Sequence, residues 1–320
     1  MSATPLSPAP PNANLRSERW RLRVAGARSF GRRFSGRKDG VVGLVILVIF
    51  AVLALAPTLF VGPLQTPVTA TGAPLEPPSL QHIFGTDELG RDMLNLTVHG
   101  ARISMSIGLM ATVITIFVGA LIGVISGFVG GRVDGGLMRL TDFFLVLPTF
   151  VLAIILAPVI LDIIGVEAEI AGLRATLVVI VIVIGITSWA TTARIIRSQT
   201  MSIRSRMFVD RARVIGAGQG HIMRRHIFPN VVNLIVAQAV ITFAAAVFIE
   251  TSLSFIGLGD PFSPSWGQLL DSAQSTGAPG LGAWWYIAPP AVCVVLVVLA
   301  FTLVGNALDD ILNPKSATRR

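Results

Sequence analysis

Long apolar runs alternate along this chain with shorter polar ones. Runs at 41–61, 104–129, 136–161, 175–196, 231–257 and 285–308 are each about 20 residues or longer, the length a helix needs to cross about 30 Å of hydrocarbon at 1.5 Å per residue. The pattern predicts an all-α, polytopic membrane protein with six transmembrane helices. Six crossings leave both ends of the chain on one side, with long connections at 62–103 and 197–230. Gly119, Gly123 and Gly127 recur every fourth residue, a ridge along which two helix backbones can approach closely. Trp284, Trp285 and Tyr286 stand where an interfacial aromatic belt would anchor the last span. Glu250 falls about 20 residues into the fifth span, near its outer boundary by helical rise. An ionisable group there either faces a path through the protein or is held by neighbouring helices.

The polar connection FVDRARVIGAGQGHIMRRHIFPN, residues 208–230, has a periodicity of its own. Phe208, Ala212 and Ile215 share one helical face and Arg206, Asp210 and Arg213 the other, which predicts a short amphipathic helix. Gly216, Gly218 and Gly220 break it; no Ser or Asp stands at Gly218 or Gln219 to cap a successor. Met223 and Ile227 then repeat among His221, Arg224 and Arg225, and Pro229 is expected to end this second helix. On the other side of the membrane, HIFGTDELGRDML at 82–94 is rich in Gly and Asp and predicts a tight hydrogen-bonded turn. Asp87, Arg91 and Asp92 are expected to brace one another there. Asp142, in the inner part of the third span, is expected to cap or pair locally.

Composition narrows the class. At 320 residues, 53% hydrophobic and 13% charged, with mean hydropathy +0.75, the chain has more apolar surface than one soluble core can bury. A net charge of +8 and a pI of about 11.2 suggest nucleic acid at first sight, but the cations are segregated. The N-terminal flank, the stretch 194–225 and the tail carry nearly all of them, whereas 62–103, 162–174 and 258–284 hold only Arg91, Arg102 and Arg174. That asymmetry is a topology signal and places both termini and the 197–230 loop in the cytoplasm. Residues 1–40 and 315–320 are then cytoplasmic tails around a membrane domain at 41–314. Arg32-Arg33-Phe34 and Ala54-Leu55-Ala56 imitate an export signal and its cleavage site, yet the first run spans fully and more follow, so an uncleaved first helix is expected. Cys293 is alone, which excludes a disulfide within the chain, and His82, His99, His221 and His226 lack metal-ligand spacing. GxxxxGK[ST], GxSxG and HExxH do not occur, so neither nucleotide binding by a P-loop nor a hydrolase site is indicated.

Asp210-Arg211-Ala212, Gly216 and Ile227-Phe228-Pro229 together resemble the cytoplasmic "EAA" loop of ABC-importer permeases, and HIFPN is most similar to the C-type permease of dipeptide and oligopeptide importers. Arg211 stands where that pattern has a small residue, and Asp210 is one methylene shorter than its glutamate. Gly85, Thr86, Asp87, Gly90, Arg91 and Asp92 resemble the GTDxxGRD signature of the same permeases. So do Leu253 to Gly259, Pro264 to Gly267, and the closing AFTLVGNALDDILNPK with Asn306, Asp309, Asp310 and Pro314. The resemblance runs from Val41 to Pro314 and implies a type I importer fold with no catalytic residue and no cofactor in this chain. It implies a paralogous permease partner, two ATPase subunits that bind ATP and Mg, and an extracytoplasmic peptide-binding protein, all at the cell membrane and among lipid. Phe208, Asp210, Arg211, Ala212, Gly216, His226, Ile227 and Pro229 are the implied contacts to the ATPase, and the Gly85 to Asp92 turn a docking surface or mouth. Glu250 is the candidate for the translocation path. Close relatives carry nickel chelates or haem, and these stay open as cargo. A proton-coupled secondary transporter predicts ionisable pairs at mid-membrane, and a scaffold or receptor gives no reason for the hinged loop.

Overall fold

The computed structural model describes residues 31–165, 168–170 and 172–312. Most of the Arg-rich N-terminal flank and the tail with Pro314, Lys315, Arg319 and Arg320 lie outside these residues. The first apolar run forms α1, Lys38–Leu55, which ends at Ala56 because Pro57 has no N–H to extend the ladder. Pro57 instead opens the short helix α2, Pro57–Val61. The second span is longer than its hydrophobic run. Helix α3, Met93–Val129, has 37 residues because Asp92 caps it well ahead of residue 104, accepting from the Leu94 amide at 2.8 Å.

The third predicted span is two helices. Helix α4, Gly131–Val146, and α5, Thr149–Ile164, meet at 90°. Pro148 drives Leu147 into extended backbone (φ −80°, ψ 126°), and the hydropathy of 136–161 hides this because both sides of the joint are apolar. A two-residue antiparallel pair, β1 (Glu169–Ile170) and β2 (Leu173–Arg174), leads into α6, Ala175–Arg204. Then come α7, Met207–Val214, and α8, Gln219–Ile222, which runs through a π-turn at Met223–Ile227 into α9, Phe228–Leu253. A second π-turn follows at Ser254–Leu258. Helix α10, Trp266–Ser275, and α11, Ala288–Leu312, complete the chain. Among the described residues five helices are long and apolar enough to cross a membrane, and six if α4 and α5 count as one bent crossing.

Small residues set the packing. A Cβ added at Gly119 would lie 2.7 Å from the Thr192 side chain, one at Gly123 2.6 Å from the Ala193 carbonyl, and one at Gly127 2.7 Å from the Arg197 carbonyl. The glycine ridge of α3 therefore lies directly on the backbone of α6. Gly43 meets the Ala300 carbonyl of α11 in the same way, at 2.6 Å, and Gly108 meets Val247 of α9 at 2.5 Å. Large apolar side chains such as Val42, Val45 and Ile49 on α1 and Val113 and Phe117 on α3 stay exposed, as hydrocarbon-facing groups do. Ion pairs close the end of the bundle that carries the 205–218 connection. Arg197 grips both oxygens of Asp134 at 2.6 Å, Ser126 bonds the same carboxylate, Arg194 pairs with Asp142, and Arg37 joins α1 to Asp310. Asp142 thus pairs across helices and not with its own neighbours.

Candidate functional site

Helix α6 runs on to Arg204, so the polar connection begins several residues later than residue 197. Arg206, in extended conformation, turns the chain into α7, which buries Val209 and Ala212. Of the expected Phe208, Ala212, Ile215 face only Ala212 is buried, and Val209 takes the inward place expected of Phe208. Phe208 is 37% exposed, Val214 87% and Ile215 83%. The reason is the underlying cluster: Val209 and Ala212 pack with Phe128 of α3, Ile196 and Ile203 of α6, and Ile227 and Val231 beyond. Phe208, Val214 and Ile215 are left on the outside, a patch of apolar side chains in a connection otherwise rich in arginine.

Gly216 ends α7 in the left-handed region at φ +83°. Its amide donates to the Arg213 carbonyl at 3.0 Å and the Ala217 amide to Ala212 at 3.0 Å, the paired bonds of a Schellman motif. Nothing lies within 4 Å of where its Cβ would be, so the dihedral alone calls for glycine. Gly218 starts α8 from extended backbone without a side-chain cap. His226 ties the two halves together, its ring 6.0 Å from Phe208 and 6.1 Å from His221. Ile227 is wholly buried, and Asp210 pairs with Arg213 at 3.1 Å on the exposed face where Arg211 also lies. Pro229 does not end the second helix. The preceding π-turn, in which the Phe228 amide reaches Met223, widens the spiral ahead of the missing N–H, and the helix continues into α9.

The turn at the far end is satisfied from within. Asp87 is fully buried; its carboxylate accepts from the amides of Leu89 at 2.9 Å and Arg91 at 2.8 Å, and from Arg91 Nε at 2.6 Å. Thr86 donates to the Ala73 carbonyl at 2.6 Å and accepts from the Glu76 amide at 2.8 Å. Gly85 (φ +66°) and Gly90 (φ +75°) need both the dihedral and the space, since a Cβ would sit 2.5 Å from Trp285 and 2.2 Å from the Gly72 carbonyl. Asp92 leaves the expected network and caps α3. Trp285 donates to the Thr86 carbonyl at 3.2 Å, and buried Tyr286 donates to Glu88. Of the three aromatics expected in an interfacial belt, Trp284 is the strongly exposed one.

Glu250 is 0% exposed. Ser254 donates to its carboxyl at 3.0 Å and Thr251 at 3.4 Å, with Ser104 and Ser265 beside it. It faces the interior of this chain's own bundle and no open surface. Its neighbour is α10, a helix within the 258–284 connection. Ser265 caps it by accepting from Gln268 at 3.2 Å, buried Trp266 donates from its indole to the Thr97 carbonyl at 3.0 Å, and a Cβ at Gly267 would lie 2.4 Å from the Thr251 carbonyl. The Pro264 to Gly267 string marks the start of this helix.

Residues 119–318, a range that includes α6 to α9 and the connection between them, match the family described as binding-protein-dependent transport system inner membrane component. The chain belongs to this family. The dipeptide transport system permease protein DppC of Bacillus subtilis (strain 168) is 35% identical over 290 residues, covering 89% of this chain and 84% of that protein. The oligopeptide transport system permease protein OppC of the same organism is 34% identical, covering 88% of each. A di/tripeptide transport system permease protein DppC of Pseudomonas aeruginosa (strain UCBPP-PA14) is 34% identical over 90% of this chain and 92% of its own. In fold, this inner membrane component is similar to a chain of the MetNI methionine ABC transporter in inward-facing form, at TM-score 0.53 and 18% identity over 70% of this chain and 97% of that one. The match to this family's description begins at Gly119 and so leaves out the Gly85 to Asp92 turn.

Proposed function

We propose that this inner membrane component is the permease of an ATP-driven importer for di- or oligopeptides, with the 205–218 connection as its coupling element. The observation that carries the reading is α7, which is anchored on one side and uncovered on the other. Phe208, Val214 and Ile215 present apolar surface among arginines, the form of a short helix made to lie in a partner's groove. The groove belongs to an ATPase subunit, because the chain itself has no P-loop; ATP and Mg are held there. Val209 and Ala212 share one cluster with Ile196 and Ile203 of α6 and Val231 of α9, so a pull on α7 moves two spans together. The cation asymmetry puts this end in the cytoplasm and the Gly85 to Asp92 turn outside, where a peptide-binding protein delivers cargo. A second, paralogous permease and two ATPase subunits complete the assembly, and the peptide names carried by three relatives at 34% and 35% identity support peptides as cargo.

Gly216→Pro tests the lever. Proline removes the amide that bonds Arg213 and cannot adopt φ +83°. The expected result is a protein that inserts and assembles at wild-type level while ATP-dependent peptide uptake falls more than about tenfold, a barrier or coupling loss of at least 1.4 kcal/mol. Uptake at the wild-type rate in an assembled complex would show that α7 is no lever.

A further inference from the structure

We infer that the cavity of about 750 Å³ at the far end of α3 is a binding site for the C-terminal carboxylate of a peptide in transit, with Arg102 as its counter-charge. This rests on the peptide-importer reading above and adds a site to it. The volume is in the range of small-molecule sites, about 300–1,000 Å³. Ile103, Ile107 and Leu177 give apolar walls that suit peptide side chains, and Ser106 and Thr58 bring hydroxyls to the same space.

The charge inventory of this end singles out one group. The stretches 62–103, 162–174 and 258–284 hold three arginines, of which Arg102 stands on α3. Arg91 is spent on Asp87 at 2.6 Å; Arg174 pairs with Asp260 at 3.5 Å and lies 4.3 Å from the centre of the Phe262 ring. Arg102 lines the cavity and, among the described residues, has no hydrogen bond or ion pair. Arg102 is exposed, so an incoming anion can reach it, and its planar fork fits a carboxylate with two parallel bonds. His99, the other basic lining group, is occupied by the Gly62 carbonyl at 3.0 Å.

The surroundings favour a zwitterion over a simple anion. Phe262 and Pro264 form a partition shared with a second cavity of about 390 Å³, whose lining includes Gln268, Arg91, which is paired with Asp87, and Glu88, one of whose oxygens accepts from Tyr286. An extended peptide with its carboxylate on Arg102 finds a carboxylate of opposite sign to its ammonium across the same partition. Arg174, stacked on Phe262 and paired with Asp260, holds that partition in place.

The test uses the whole complex in lipid nanodiscs or proteoliposomes, with the binding protein saturated in turn by trialanine and by its C-terminal amide, so that the binding protein's own preference drops out. Wild type is expected to move the carboxylate faster than the amide by about tenfold or more, the worth of a charge-assisted hydrogen bond. Arg102→Ala should bring that ratio to about one, and Arg102→Lys should keep most of it. Because the ratio is taken within one preparation, poor yield of a variant does not mimic the result. Equal slowing of both peptides, or an unchanged ratio, overturns the site. So does a ratio that follows phosphatidylglycerol content in wild type, which would make Arg102 a lipid-phosphate anchor. A wild-type complex that moves neither peptide removes the importer reading and this inference with it.

Discussion

The two ends of the bundle each carry a signature turn, and the two are built in opposite ways. At the far end, Asp87 spends its carboxylate on Leu89 and Arg91, Thr86 its hydroxyl on Ala73 and Glu76, and Gly85 and Gly90 their lack of side chain on Trp285 and Gly72. At the other end, Gly216 and its Schellman bonds complete α7, but Val214, Ile215 and Arg211 face outward uncovered and Phe208 is covered only in part, by His226. Both motifs are legible as strings of letters. The difference lies in what remains unsatisfied: a turn that closes on itself is part of the fold, and a turn that leaves apolar and charged surface uncovered is half of an interface.

This contrast breaks most easily at Asp87. Removing a buried carboxylate that accepts three bonds leaves Arg91 and two amides without a partner, and Asp87→Ala is expected to cost about 3–5 kcal/mol. The check is thermal unfolding in detergent together with the amount of protein in the membrane; a variant as stable as wild type would mean the far-end turn is not structural. Ile215→Asp sharpens the opposite side. It should change stability by less than about 0.5 kcal/mol, as an exposed site does, yet abolish co-purification of the ATPase subunit by filling the contact with a charge. Retained co-purification would show that this apolar patch is not the docking face. The smallest effect is expected at Asp210→Ala, whose exposed pair with Arg213 contributes roughly 0–1 kcal/mol. A loss comparable with Asp87→Ala would erase the distinction between the ends.

How much of this was readable in advance divides along the same line. The spans and the existence of the hinged loop came from hydropathy and from Gly216. The inward face of α7 did not: Phe208 and Val209 are neighbours of similar hydropathy, and only the position of Ile196, Ile203 and Ile227 beneath them decides which is buried. Pro148 and Pro229 look alike in sequence, but the first bends the chain by 90° and the second is carried by a π-turn. A proline removes one donor; whether the helix finds a way around it depends on what is packed nearby.

Sequence alone determined that this chain is a membrane bundle with an exposed basic connection, because a run of apolar residues long enough to cross hydrocarbon is a one-dimensional property. It also determined the glycine ridge, since the spacing of Gly119, Gly123 and Gly127 is a helical period. Only the tertiary structure decided that the ridge lies on α6, that Glu250 is enclosed by hydroxyls, that the buried Trp266 opens α10, and that Arg102 has no hydrogen bond or ion pair among the described residues. The physical reason is the solvent. In a bilayer the lipid-facing and the buried sides of a helix are both apolar, so hydropathy marks the helix without marking its inner face, and that face is fixed by close packing of backbones and by where the few polar groups find one another.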